Sequence, residues 1–124
     1  MVNLSFCLFS FLGSTLLVND STENVPLLDT NLMTISSSIR HPFPVVCSRF
    51  HPTDNYFLSI GKLGMFQLVD NRQISQKCYK MSGSSADTIS CALWDNLFAI
   101  SSTNYQSELW DKRFIIEPIF ISNS

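Results

Sequence analysis

No C-x-x-C pair and no cysteine–histidine cluster occurs in the chain, and His41 and His51 are the only histidines. A zinc site and a dithiol redox centre both depend on such spacings, so no metal is expected. Positive charge is scarce and late. No basic side chain precedes Arg40, and eight Lys and Arg stand against ten Asp and Glu, for a formal net charge of −2. Nucleic acid would need clustered basic residues, so it is not an expected partner. With only four glycines there is no phosphate-cradling loop, and neither G-x-S-x-G nor H-E-x-x-H is present. One S-x-x-K match, Ser59-Ile60-Gly61-Lys62, spans a strand end and a turn, whereas its chemistry places the Ser at a helix start. The expectation is a protein that uses no cofactor and is not an enzyme.

What is present points to strands. Hydrophobic residues make up 45% of the chain, too many for disorder, and the length of 124 residues suits one small domain. Ten Phe, three Tyr and two Trp favour β-structure over Ala- and Leu-rich helices. Cys7, Cys47, Cys78 and Cys91 are widely and unequally spaced. They are expected to be reduced thiols packed as small apolar side chains in the cytoplasm. Met33, Met65 and Met81 are expected to be packing residues of the same ordinary kind. The run Leu4 to Val18 offers an alternative, a signal peptide. It lacks a preceding basic side chain and a clear small-residue cleavage site, and it is too short and Ser-rich for a membrane span. As a signal it would make the protein secreted or membrane-targeted, with Asn19-Asp20-Ser21 as a glycosylation acceptor.

A repeat organises the chain. Leu27-Leu28-Asp29, Leu68-Val69-Asp70 and Leu109-Trp110-Asp111 share two apolar residues before an aspartate, and Asp70 stands midway between Asp29 and Asp111. Arg72 and Arg113 follow the last two at the same offset. Four strands recur per unit. The first unit has Leu4–Phe9, Thr15–Val18, Asn24–Leu28 and Leu32–Ser36. The second has Val45–Phe50, Tyr56–Ser59, Met65–Val69 and Ile74–Lys80, and the third Ile89–Leu93, Leu97–Ser101, Ser107–Trp110 and Pro118–Ile121. Four strands in about 40 to 45 residues is the pattern of a propeller blade. The fold expected is therefore all-β, a partial β-propeller of about three four-stranded antiparallel blades near residues 1–39, 40–82 and 83–124. Asp29, Asp70 and Asp111 are expected to accept backbone N–H bonds where each third strand ends.

The chain resembles the WD-repeat (WD40) family. Leu109-Trp110-Asp111 is a full family ending, and Phe50-His51-Pro52-Thr53-Asp54 matches the turn between a blade's first two strands. No Gly-His pair opens a blade, and Gly61-Lys62-Leu63-Gly64 stands where the family favours an Asp. The buried Asp–His–Ser–Trp network of a model blade is thus incomplete: Ser59 holds its place in the second unit and Trp110 in the third. Apolar packing between sheets must compensate. Closed propellers take roughly four to eight blades, so three units imply two open apolar faces. That count favours a fragment or truncated gene product over a piece that completes its ring with another chain.

The resemblance implies a protein-interaction scaffold. Asp70, Arg72, Ser75-Gln76-Lys77, Asp111, Arg113 and Pro118 are similar to positions in Mio-type WD-repeat subunits of the SEA/GATOR complexes. That likeness implies partners within a multi-subunit complex regulating TORC1. It implies a cytoplasmic location at the lysosomal or vacuolar surface, touching membrane only indirectly. Alternatively, Ala99-Ile100-Ser101-Ser102-Thr103 followed by Leu109-Trp110-Asp111-Lys112-Arg113 is similar to the box of cullin-4 ubiquitin-ligase substrate receptors, whose Arg contacts the adaptor. Arg72 and Arg113 are the candidate interaction residues, with Asp29, Asp70, Asp111 and Trp110 as structural repeat positions. A plainer role for each Arg is pairing with a nearby carboxylate.

Overall fold

The computed structural model describes residues 9–12, 15–19, 22–53, 56–70, 77–82 and 86–123. Short turn-forming segments punctuate runs of alternating apolar residues, and the described runs form twelve strands in chain order. The first four are β1 (Phe9–Leu12), β2 (Thr15–Val18), β3 (Asn24–Asp29) and β4 (Thr34–Arg40). Then come β5 (Val45–Phe50), β6 (Tyr56–Gly61), β7 (Met65–Asp70) and β8 (Cys78–Lys80). The last are β9 (Thr88–Trp94), β10 (Leu97–Ser102), β11 (Gln106–Asp111) and β12 (Phe120–Asn123). Each set of four pairs antiparallel in simple meander order, giving three sheets called here sheets one, two and three. The protein is all-β, as the repeat leads one to expect. A single 3-10 turn, Lys62–Gly64, is the helical element among the described residues, and none of them forms a helix long and apolar enough to cross a membrane.

Several strand bounds differ from expectation, with β4 running on to Arg40 and β6 to Gly61 where Ser36 and Ser59 were expected. The first strand includes Phe9–Leu12, beyond Leu4–Phe9, whose residues up to 8 lie outside the described ones. The fourth begins at Thr34 instead of Leu32, because the Asp29 carboxylate accepts the backbone N–H groups of Asn31 and Leu32 and holds a turn there. The twelfth begins at Phe120 instead of Pro118, since proline has no N–H to give a ladder. In the fourth strand of the second unit only Cys78–Lys80 is described as paired, and residues 71–76 lie outside the described ones.

The sheets stack in chain order. Sheet one meets sheet two through Leu17, Val25 and Leu27 against Phe43, Val45, Phe50, Phe57 and Val69. Sheet two meets sheet three through Cys47, Leu58, Ile60, Phe66 and Met81 against Cys91, Phe98, Ile100 and Trp110. The closest approaches between sheets fall on their first strands, with β1 against β5 and β5 against β9. Sheet two is therefore covered on both faces, and every residue of β6 is buried. Successive side chains of β6 serve opposite contacts, Phe57 towards sheet one and Leu58 towards sheet three. A bulge in β5 changes that alternation. Val45 pairs with Gly61 and Cys47 with Ile60, which leaves Val46 as the extra residue on the sheet-three side beside Cys47. Gly61 is required where it stands: a Cβ there would strike the Pro44 carbonyl and the Phe43 ring.

Candidate interaction surface

Asp29, Asp70 and Asp111 each close the third strand of their sheet, at equivalent places. Asp29 caps its turn as described, and the Asp111 carboxylate accepts the Arg113 backbone N–H at 2.9 Å. A short polar side chain at a strand end captures the first free amides of the turn, which explains the residue type. Asp111 also takes both arms of the Arg113 guanidinium, Nε at 2.9 Å to Oδ1 and Nη2 at 2.6 Å to Oδ2. These Arg113 bonds, side chain first and backbone second, hold the Asp111 carboxyl down to about 2. The pairing that sequence alone offers as the plain role of Arg113 is thus present, and the side chain is nonetheless 59% exposed. Arg72 lies outside the described residues.

Around Arg113 the rim is polar and tied together across sheets. His51, buried, donates from Nε2 to the Asp95 carbonyl at 2.7 Å, while its Nδ1 accepts the Thr53 N–H at 3.2 Å. This links the first hairpin of sheet two to the first hairpin of sheet three. The Lys112 ammonium sits 4.7 Å from the centre of the Tyr56 ring, and the Lys112 N–H donates to the Asn96 carbonyl at 2.8 Å. Beside these charges the β11–β12 connection exposes Phe114 and Ile116, the latter 87% accessible. A rim of this make-up, with fixed charges next to exposed apolar side chains, suits protein contact.

A second polar centre is not foreseen in the sequence reading. Glu108 is buried in the contact between sheets two and three. Its Oε1 accepts the Ser82 N–H and the Trp110 indole N–H, each at 3.0 Å, and its Oε2 accepts from Gln106 Nε2 at 2.9 Å. The indole therefore finds its acceptor two positions away on its own strand. Gln106, Glu108 and Trp110 alternate along β11, so a polar–polar–indole face was the available signal. On the opposite rim, Thr88 Oγ1 donates to the Gly61 carbonyl at 2.7 Å, and Asp87 accepts from the Leu63 N–H at 2.9 Å and from Lys62 Nζ at 3.2 Å. The Leu63 amide, the largest influence, lowers the Asp87 carboxyl below its ordinary range; burial opposes it, and the smaller contributions of Lys62 add to the lowering.

The S-x-x-K match does not assemble a site. Ser59, fully buried, shares a 2.8 Å hydrogen bond with Ser48, and Lys62 is committed to Asp87. No group of three or more metal-ligating side chains forms among the described residues. The cysteines correct one expectation. Cys78 and Cys91 are free thiols, but Cys47 is disulfide-bonded, so a set of four reduced thiols is not what the structure contains. The Cys91 sulfur lies 3.9 Å from that of Cys47, and burial pushes its thiol up to about 12. No family model matches the chain, and no curated protein matches it.

Proposed function

We propose that the chain is part of a WD-repeat-type propeller and acts as a non-enzymatic protein-interaction scaffold. The observation that carries this reading is the repetition of one unit. Three four-stranded meanders, stacked by their first strands, end their third strands on evenly spaced aspartates. Propellers present loop rims to other proteins, and Arg113 with Lys112 and Phe114 occupies such a rim. Within that class the D-x-R endings and the following Pro118 favour a Mio-like subunit of a SEA/GATOR, TORC1-regulating complex. In that role its complex would bring it from the cytoplasm to the lysosomal or vacuolar surface; the Cys47 disulfide runs against a reducing compartment and is the observation that opposes this location. No nucleic acid is needed in this role.

Arg113→Ala tests the reading. It should weaken capture of the complex's other subunits by about 1–3 kcal/mol, the range of an interfacial Arg anchor. Thermal stability should change by less than about 0.5 kcal/mol, as for most surface substitutions. Trp110→Ala is the contrast, expected to cost about 3–5 kcal/mol of stability because the indole fills the sheet two–sheet three contact. Co-purification of a cullin-4 adaptor in place of SEA/GATOR subunits would move the assignment to a ligase substrate receptor. If Arg113→Ala melts as early as Trp110→Ala, the side chain is structural and the interface assignment fails.

A further inference from the structure

Cys47 lies on β5 and Cys91 on β9, the two first strands through which sheets two and three approach each other. Both side chains enter the apolar cluster of that contact, with Leu58, Ile60, Phe98 and Ile100. Their sulfurs are 3.9 Å apart, close to van der Waals contact. Cys47 is disulfide-bonded and so carries no hydrogen on its sulfur, which makes Cys91 the donor of the weak S–H contact between them. A free thiol therefore lies against one sulfur of a disulfide, and these are the two reactants of thiol–disulfide exchange. Burial keeps competitors away. Cys47 is 0% exposed and Cys91 7%, so dissolved thiols have poor access to a sulfur that Cys91 already touches. Cys78, the other free thiol, packs instead against the contact between sheets one and two.

We propose that Cys47 is a redox-active sulfur with two alternative partners, and that Cys91 takes it from its present partner by exchange within the folded chain. Cys91 gives up its proton, and its thiolate forms a bond to the Cys47 sulfur as the existing disulfide bond breaks. The leaving sulfur keeps the electron pair of the broken bond and takes up a proton. One disulfide and one thiol remain, and no oxidant or reductant is consumed. The new bond runs from β5 to β9 and ties sheet two covalently to sheet three. The surroundings set the pace. Burial, the largest influence, pushes the Cys91 thiol up to about 12, while the Arg49 guanidinium pulls it the other way. Arg49 shares a face of β5 with Cys47, since the two pair with Leu58 and Ile60 of the same cluster. Glu108 stands in the same cross-strand row as Cys91, with Ile100 between them, and its carboxyl is engaged by Ser82, Gln106 and Trp110. Exchange is therefore slow near neutrality and quickens as pH rises.

The test is disulfide mapping of the full chain, purified with the Cys47 disulfide formed. Trypsin cuts after Arg40, Arg49, Lys77, Lys80 and Lys112, so Cys47, Cys78 and Cys91 fall in separate peptides, 41–49, 78–80 and 81–112. Samples are held at about pH 7 and about pH 9 with no added thiol or oxidant, quenched in acid, blocked with N-ethylmaleimide in denaturant and digested for mass spectrometry. The linked pair 41–49 with 81–112 should appear in the unsubstituted chain. It should accumulate at least tenfold faster at the higher pH, at a rate independent of protein concentration. In Cys91→Ala the original pairing of Cys47 should persist throughout. Absence of the 41–49/81–112 pair at both pH values would overturn the proposal. So would a rate that grows with protein concentration, which marks exchange between chains. Linked peptides containing 78–80 in comparable amount would also overturn it, because they mark scrambling through the unfolded chain.

Discussion

Three donors converge on the Glu108 carboxyl, and in a Glu108→Leu variant the Ser82 amide, the Trp110 indole and the Gln106 side chain would lose that acceptor together. An abandoned buried donor costs about 1–3 kcal/mol. The variant should therefore lose about 3 kcal/mol or more in chemical denaturation, and Glu108→Gln, which keeps an acceptor, should lose less. His41 sets a pH dependence. Burial, the largest influence, lowers its imidazole below 6.5, against the opposing carbonyls of Ile39 and Glu23. The unfolded chain then takes the proton first, so stability present above 6.5 is lost as pH falls from there towards the lower folded value. Melting temperature measured against pH should decline in that window, and the decline should flatten in His41→Gln. The turn-capping aspartates were legible in advance because residue type and spacing determine them. The Glu108 centre was not, because its meaning depends on Ser82 arriving from the end of sheet two.

At the scale of elements, the middle of each strand was readable and the ends were not. β5 has the bounds that alternation suggests, since turn residues flank it on both sides. β4 and β12 start later than the hydrophobic pattern suggests, because the Asp29 cap and Pro118 act on backbone amides and leave little trace in that pattern. The second hairpin turn of each sheet shows what the sequence alone obscures. Gly64 takes φ 74° in sheet two, and the equivalent residue of sheet three, Tyr105, takes φ 66°. The left-handed region suits glycine and strains a residue with a Cβ. Because the Tyr105 side chain is 76% exposed, little packing is lost on its removal. Tyr105→Gly should raise stability by about 0.5–1 kcal/mol, the strain relieved less the added freedom of the unfolded chain, visible as a higher melting temperature.

For the whole molecule, sheet two is the keystone: its two faces hold sheets one and three, and its side chains are divided between them by alternation. The three-unit plan was visible from the spaced aspartates, but which face of each sheet meets which neighbour was not, since a period of two cannot name a direction. The β5 bulge makes that division sensitive to strand length. Deleting Val46 removes the one β5 residue without a cross-strand partner and leaves Val45 opposite Gly61 and Cys47 opposite Ile60. Deleting Ser48 instead would turn the following part of the strand over, sending Phe50 towards sheet three and Arg49 into the contact with sheet one. The Val46 deletion should yield a folded chain that melts cooperatively, and the Ser48 deletion should not. Natural length variation in this strand is thus open at a single position, and a gap anywhere else in it amounts to a change of partner for every side chain downstream.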